Sequence, residues 1–251
     1  MSTNSNRTLF FSFAHPDDET FLVAGTACKY GSQGVNLVLS TATLGQAGKR
    51  GEPPVCSVEE LPAVREKELR LAAQVLGIHH LRVLGFQDRR LADVPPDEIR
   101  RQLVHQLRSY RPQVVITFDP DGSNLHPDHI AISRFTADAV AAAADSRWLP
   151  EAGEGHEVQR LIWTAPVRIY EITRYADLAA LPGVDFIIDT QAWWQRKVEA
   201  LRAHRSQHLS LDRHFLKKPD LQQLASREIF RQAWGPPLKR RPSEDLFENI
   251  C

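Results

Sequence analysis

Apolar and polar residues follow one another along the chain in blocks that predict strands and helices in turn. Thr8 to Phe13 is a run of β-branched, aliphatic and aromatic residues that predicts a buried strand. Further strands are predicted at Val35 to Thr41, Leu81 to Phe86, Gln113 to Phe118, Leu161 to Ala165, Arg168 to Ile172 and Asp185 to Asp189. Helices are predicted at Glu19 to Tyr30, Glu59 to Gly77, Pro95 to Tyr110, Pro127 to Ala144, around Lys197 to His204, and at Asp220 to Trp234. This order predicts an α/β, Rossmann-like fold whose mainly parallel β-sheet is flanked by helices.

The composition narrows the class of protein. The 251 residues are 42% hydrophobic and 25% charged, which predicts a single domain over residues 1–251. The 31 basic and 31 acidic residues balance, which argues against a general nucleic-acid or membrane-surface binder. Three widely spaced cysteines fit a reducing compartment. The sequence contains no run of 18 apolar residues of the kind that predicts a transmembrane helix. We therefore expect a cytoplasmic protein with no membrane partner.

The first strand ends abruptly in a cluster of groups that can carry chemistry. His15 and Pro16 follow it directly, and then come the acids Asp17, Asp18 and Glu19. His15 and Asp18 lie three residues apart across a turn, so an imidazole nitrogen and a carboxylate oxygen can converge on a divalent metal ion. Asp17 would then be a spare carboxylate that can take a proton from a water molecule. The alternative is that Asp17 or Asp18 only caps the helix that follows.

A second segment repeats this arrangement. After the strand Gln113 to Phe118 comes His126-Pro127-Asp128-His129, at the start of another helix. A single catalytic metal ion needs three protein ligands and an open position for water, which His15, Asp18 and one of His126 or His129 would supply. Asp128 could cap its helix or act as a hydrogen-bond acceptor that braces a ligand histidine.

The two segments resemble the motifs of the LmbE-like or PIG-L-type zinc-dependent N-acetylglucosaminyl deacetylases. The residues that carry the resemblance are A-H-P-D-D-E (Ala14 to Glu19) and H-P-D-H (His126 to His129), with softer matches at Arg65 to Ile78, Lys197 to Gln207 and the P-S-E-D-L-F-E-N-I tail. The resemblance therefore extends over nearly the whole chain.

The resemblance implies a role for each matching position. It implies zinc ligands at His15, Asp18 and His129, a general base at Asp17, and at His126 a group that stabilises the oxyanion and protonates the leaving amine. It further implies that Arg65, Asp88 and, more weakly, His204 bind the substrate. The implied partner is a small amino-sugar molecule, and the implied cofactor is Zn²⁺, with Fe²⁺ as an alternative that the same ligands accept.

Several alternatives stay open from the sequence alone. Within the family, the chain could be an amidase acting on a sugar–thiol conjugate of the bacillithiol or mycothiol type. From another class, it could be a sugar-binding module without catalysis, although binding alone does not require Asp17. A nucleotide-binding protein is disfavoured because the loop after the second strand lacks the G-x-G-x-x-G pattern. Whether the chain forms a homo-oligomer is also left open.

The aromatic residues and one loop carry two further expectations. Trp163, Tyr170, Trp193 and Trp194 could stack on a sugar or belong to the core. The polar loop from Arg147 to Gln159 is expected to be a lid or partner surface, with His156 solvated rather than catalytic.

Overall fold

A computed structural model describes residues 7–165 and 167–250, in which seven strands form one mixed β-sheet. The strands are β1 (Thr8–Phe13), β2 (Asn36–Thr43), β3 (His80–Phe86), β4 (Val114–Thr117), β5 (Arg160–Thr164), β6 (Phe186–Asp189) and β7 (Arg227–Trp234). Their order across the sheet is β3-β2-β1-β4-β5-β7-β6. The first five strands are parallel, whereas β7 runs antiparallel to both β5 and β6. The predicted mainly parallel sheet is confirmed.

Helices cover the sheet and bury its central strands, β1 and β4, completely. They are α1 (Asp18–Leu22), α2 (Ala24–Ser32), α3 (Leu61–Leu76), α4 (Pro96–Tyr110), α5 (Gly122–Leu125), α6 (Pro127–Ala144), α7 (Trp194–Ala203), α8 (His208–Leu211) and α9 (Leu221–Ala225). Helices α2, α3 and α7 pack together, and α4 packs on α6. Every residue of β1 is buried, as expected for a strand in the middle of a covered parallel sheet.

The strand order changes direction between β1 and β4, and this determines where a site can form. The chain moves outward from β1 to β2 and β3, then returns to place β4 on the other side of β1. The carboxyl ends of β1 and β4 therefore lie side by side at a crevice, the position where ligands bind in open α/β sheets. The two histidine-containing segments follow these two strands.

Three predicted elements differ from the observed ones. The helix predicted at Glu19 to Tyr30 is broken at Val23 into α1 and α2. Arg168 to Ile172 is not a strand, because Ile169–Arg174 forms a 3₁₀ helix. Most of the helix predicted at Asp220 to Trp234 is the strand β7, since its residues pair with a strand on each side and this tertiary pairing overrides the local pattern.

The loop predicted to be a lid is anchored away from the crevice. The guanidinium of Arg108 donates hydrogen bonds to the carbonyls of Leu149 and Gly153 in this loop. His156 is buried instead of solvated, and its Nε2 lies 2.8 Å from the carbonyl oxygen of Pro112. The prediction that His156 is solvated is therefore wrong.

No helix within residues 7–165 and 167–250 is long and apolar enough to cross a membrane. The seven strands share one sheet. The prediction of one domain over residues 1–251 stays a prediction.

Candidate active site

His15 stands at the carboxyl end of β1 and is held from one side by two acids. Its Nε2 lies 3.1 Å from Asp128 Oδ2 and 3.1 Å from Asp88 Oδ1. These carboxylates accept the Nε2 proton, which leaves Nδ1 as the nitrogen that faces the crevice. Burial opposes protonation of His15, but the hydrogen bonds to Asp128 and Asp88 outweigh it and raise the pKa to about 10.

His129, on the first turn of α6, meets His15 across the gap between the two segments. Its Nε2 lies 3.1 Å from His15 Nδ1, and its Nδ1 lies 3.0 Å from the carbonyl oxygen of Gly122. That carbonyl can only accept a hydrogen bond, so Nδ1 of the neutral ring carries the proton and Nε2 presents a lone pair. Burial and the neighbouring His15 lower the pKa of His129 to about 3, so the ring is neutral.

The carboxylate of Asp18 completes a group of three possible metal ligands. Its oxygens lie 3.4 Å from His129 Nε2 and 3.7 Å from His15 Nδ1. The backbone N–H groups of Ala14 and His15 donate to Asp18 Oδ2 at 3.2 and 2.8 Å and fix the carboxylate in place. Asp18 therefore does not act as the helix cap that was considered as an alternative.

The chemistry of this donor set fits a divalent cation. Two imidazole nitrogens and the oxygens of one carboxylate lie 3.1 to 3.7 Å apart, and each side chain is oriented by a further hydrogen bond, which is the kind of donor set found in catalytic zinc sites. Two other groups of side chains also have ligand atoms close together, namely His15, His126 and His129, and His15, Asp88 and Asp128. In the second of these groups the two acids contact the outer nitrogen of His15, so we assign them to bracing that ring.

Asp17 lies beside these three groups and is not engaged with them. It precedes α1 with a φ of 105°, in the left-handed region, and its side chain makes no capping hydrogen bond. Its Oδ2 lies 3.3 Å from Nη2 of Arg65, and it borders the crevice with a side chain that is 17% exposed. Burial raises the pKa of Asp17 to about 6. The carboxylate can therefore reach a molecule in the crevice.

His126 is half-buried, and its tautomer is set by the start of α6. Its Nδ1 accepts a hydrogen bond from the backbone N–H of Asp128 at 3.2 Å. Since burial and the nearby His15 and His129 lower the pKa of His126, the ring is neutral and its proton is on Nε2. His126 thus offers an N–H donor to the crevice, with its ring centre 4.8 Å from that of His15.

The three residues predicted to bind substrate have other contacts. The Arg65 side chain is buried, donates to the carbonyl oxygens of Gly45 and Pro16, and pairs with Asp17. Asp88 braces His15 and accepts the N–H of Ala47 at 2.9 Å. Both residues border the crevice. For both, a direct contact with substrate stays a prediction.

His204 lies behind the crevice and does not line it. It is fully buried, and its Nε2 lies 2.7 Å from Oε1 of Glu19. The other oxygen of Glu19 accepts the backbone N–H of Asp17 at 3.0 Å. His204 and Glu19 thus support the turn that carries Asp17. Sequence reasoning missed Glu19, although it is the third acid of the first motif.

The crevice is a cavity of about 430 Å³ that is large enough for a small ligand. Its inner end is the buried cluster of His15, Asp18 and His129, and its other lining residues include Phe21, Tyr170 and Ile229. Of the four aromatic residues considered for a sugar pocket, Tyr170 is the one that lines it, with its ring centre 4.2 Å from that of His214.

The fold and the site together define an α/β protein with a candidate metal centre at the carboxyl edge of its mainly parallel sheet. Comparison with known proteins identifies the family. The model of the PIG-L family, described as GlcNAc-PI de-N-acetylase, matches residues 10–140. The chain belongs to this family of deacetylases, which confirms the predicted family and the predicted amide hydrolase.

Individual relatives agree with this assignment. The chain is 30% identical to a 1D-myo-inositol 2-acetamido-2-deoxy-alpha-D-glucopyranoside deacetylase of Thermobifida fusca, over 97% of this chain and 99% of that protein. It is 39% identical to a probable N-acetyl-alpha-D-glucosaminyl L-malate deacetylase 2 of Bacillus anthracis, over 57% of this chain and 63% of that protein. An N,N'-diacetylchitobiose deacetylase structure from Pyrococcus horikoshii superposes with a TM-score of 0.70 at 22% identity, covering 91% of this chain and 84% of that one. This last likeness supports the fold.

Proposed function

We propose that this protein hydrolyses the acetamide of an N-acetylglucosamine-type conjugate and releases acetate and a free amino sugar. The observation that carries the proposal is that His15 Nδ1, His129 Nε2 and Asp18 lie together at the inner end of a cavity, with Asp17 beside them and paired with Arg65. The relatives named above are deacetylases of N-acetylglucosaminyl compounds that differ in the group attached to the sugar.

His15, Asp18 and His129 would hold the metal ion, which we propose to be Zn²⁺, with Fe²⁺ as the alternative. When bound, the ion would lower the pKa of a water molecule and polarise the carbonyl oxygen of the acetamide. Each ligand has a partner that orients it: Asp88 and Asp128 for His15, Gly122 for His129, and two backbone N–H groups for Asp18.

Asp17 is the group placed to accept a proton from the attacking water. It stands next to the ligand Asp18, it is not required as a ligand, and its carboxylate is held by Arg65. Glu19 fixes the backbone of the same residue in its unusual conformation. A general base must be held within hydrogen-bond distance of its proton, and these contacts provide that positioning.

His126 is the group placed to stabilise the oxyanion and to protonate the departing amine. Its Nδ1 accepts the N–H of Asp128, so the Nε2–H is the free donor. A preorganised donor of this kind stabilises negative charge that develops on a carbonyl oxygen. Because the ring is neutral, its Nε2–H can stabilise the oxyanion directly. To protonate the amine, His126 would first have to take up a proton, such as the one that Asp17 removes from the water.

The same site would also allow an amidase to act on a sugar–thiol conjugate. The two activities differ in the acyl group that is removed from the sugar nitrogen. A sugar-binding module without catalysis is less consistent with the site, since binding does not require a carboxylate held as Asp17 is. The proposal includes a small amino-sugar partner and a cytoplasmic location.

The experiment is an amine-release assay on a panel of N-acetylglucosaminyl conjugates, with a chelator and then with added Zn²⁺ or Fe²⁺. Asp17→Asn should lower kcat by about 10²- to 10⁴-fold because the base is lost. The metal content should stay the same, since Asp17 is not a ligand. Asp97→Asn, at an exposed position outside the cavity, is the control and should leave kcat unchanged. Full activity of Asp17→Asn, or activity unaffected by complete metal removal, would refute the mechanism.

A further inference from the structure

The charged side chains that line the cavity are separated by sign. The acids among the described lining residues are Asp17, Asp18 and Asp88, and all three lie at the inner end in the contacts given above. Besides Arg65, which is buried against Asp17, three cationic side chains line the cavity. They are Lys49, Arg89 and Arg168, and all three residues are exposed.

We propose that Lys49, Arg89 and Arg168 form an anion subsite at the outer end of this cavity, which binds a carboxylate or phosphate on the group attached to the sugar. This proposal deepens the proposed function and rests on it. It assigns the substrate class: anionic rather than neutral conjugates.

The first argument is that these cations lack intramolecular counter-ions. None of the three forms an ion pair with another residue in the part of the chain that the structure describes. The neighbouring Arg90, which does not line the cavity, pairs with Asp93 at 2.8 Å. Several like charges on the wall of one concavity reinforce one another and attract an anion.

The second argument is that the backbone fixes two of these residues at the cavity mouth. Arg89 has a φ of 66°, a conformation that non-glycine residues seldom adopt, and its N–H donates to Asp128 Oδ2 at 2.6 Å. The carbonyl oxygen of Lys49 accepts a hydrogen bond at 2.7 Å from Nε2 of Gln207, another residue of the cavity wall. The same acid that braces His15 therefore also anchors Arg89, which links the subsite to the reaction centre.

The third argument is that, among the described lining residues, no acid accompanies the three exposed cations, since Asp17, Asp18 and Asp88 belong to the inner cluster. Neutral polyols are commonly bound through acceptor side chains that receive several hydroxyl protons, whereas Lys and Arg have no acceptor atoms. Uncharged polar residues of the lining, such as Asn124, Gln207 and Ser210, can bind the sugar hydroxyls. The guanidinium groups of Arg89 and Arg168 are suited to the paired oxygens of a carboxylate or phosphate.

The test compares three N-acetylglucosaminides whose attached groups are of similar size. One carries a carboxylate, one carries a phosphate, and one is the methyl ester of the first. Acetate release is measured for the wild type and for the triple variant Lys49→Gln, Arg89→Gln, Arg168→Gln. A matched variant, Arg70→Gln, Lys217→Gln, Arg240→Gln, removes the same charge from exposed positions outside the cavity.

We expect the wild type to favour at least one anionic substrate over the ester by about 10-fold or more in kcat/KM, because several weak exposed ion pairs add together. This preference should decrease when salt is raised from about 10 mM to about 500 mM. The triple variant should lose the preference and keep its kcat/KM for the ester within about twofold, while the matched variant should behave as the wild type. The arm that shows the larger preference identifies carboxylate or phosphate as the anion.

Equal kcat/KM for the charged and neutral substrates in the wild type would overturn the proposal, as would a preference that survives in the triple variant. Calorimetric binding of the same three compounds separates this proposal from the proposed function. If none is hydrolysed but the anionic compounds bind more tightly to the wild type than to the triple variant, the subsite stands and the hydrolytic function fails. If no compound is hydrolysed and binding does not depend on charge, both fail.

Discussion

Replacing Gly45 by alanine should displace Arg65 and thereby disturb Asp17. Gly45 follows β2 with a φ of 63°, and a Cβ at this position would lie 1.7 Å from Nη1 and 2.3 Å from Cζ of Arg65. Those distances are far inside van der Waals contact, so the guanidinium must leave its place. It would lose its hydrogen bond to the carbonyl of Gly45 and its ion pair with Asp17.

Gly34→Ala separates the steric effect from the backbone effect. Gly34 also has a positive φ, of 80°, but a Cβ there would meet nothing within 4 Å. Both variants incur the cost of placing alanine in the left-handed region, about 1 kcal/mol. Gly45→Ala additionally disrupts the contacts of a buried arginine, which we expect to cost about 2–3 kcal/mol more. Breaking a fully buried ion pair costs more than this, but Asp17 borders the cavity and can be partly solvated.

The assays are thermal unfolding and steady-state acetate release. For a chain of this size, 1 kcal/mol corresponds to about 2–4 °C in Tm, so Gly45→Ala should unfold roughly 4–12 °C below Gly34→Ala. Its kcat should also fall, and its activity should require a higher pH, because loss of the Arg65 charge raises the pKa of Asp17. Equal Tm and kcat in the two variants would show that Arg65 does not depend on the space beside Gly45.

Three further outcomes are expected. Glu19→Gln should lower kcat and leave the metal content unchanged, because the turn that carries Asp17 becomes less well held. A loss of bound metal as large as the loss of kcat would contradict this, because it would show that the metal ligands themselves are disturbed. Asp128→Asn should weaken metal binding by about 10- to 100-fold in competition with a chelator, because it braces His15; unchanged affinity would contradict this role. Burial lowers the pKa of His156 below the value of 6.5 expected when unfolded, so the unfolded state binds the proton more readily. The wild type should therefore lose stability relative to His156→Gln as the pH falls below about 6.5 in urea unfolding, and parallel profiles would refute this.

The part of the site that sequence analysis could predict is the part that depends on strand ends. Two strands, each followed by histidine, proline and acid, place their groups at one edge if the strands are parallel neighbours. β1 and β4 are such neighbours, and His15 and His129 lie in hydrogen-bond range. The motifs at His15 and His126 are sufficient to predict this meeting, because their side chains directly follow the carboxyl ends of the two strands.

The contacts of Arg65, Asp88 and His204 could not be predicted in this way. Each depends on where a distant segment runs: Arg65 meets Gly45, Asp88 meets His15, and His204 meets Glu19. A matching position in a motif gives the residue type and not its neighbours. The local pattern of Asp220 to Trp234 predicts a helix and not the strand β7 for the same reason, since the pairing of β7 with β5 and β6 is a property of the folded sheet.

The charges around His15 explain why this site suits a cation. Asp18, Asp88 and Asp128 lie against His15, and Asp17 beside them is paired with the permanent positive charge of Arg65. Hydrogen bonds to two carboxylates raise the pKa of His15, whereas burial and His15 lower the pKa of His129, so these two rings, 3.1 Å apart from His15 Nδ1 to His129 Nε2, favour one added proton over two. A metal ion bound by these two nitrogens and Asp18 would take the place of that proton. The acids that stabilise the charged form of His15 would therefore also stabilise a bound metal ion. The added proton and the metal ion are both positive, and the same excess of carboxylate charge favours each of them.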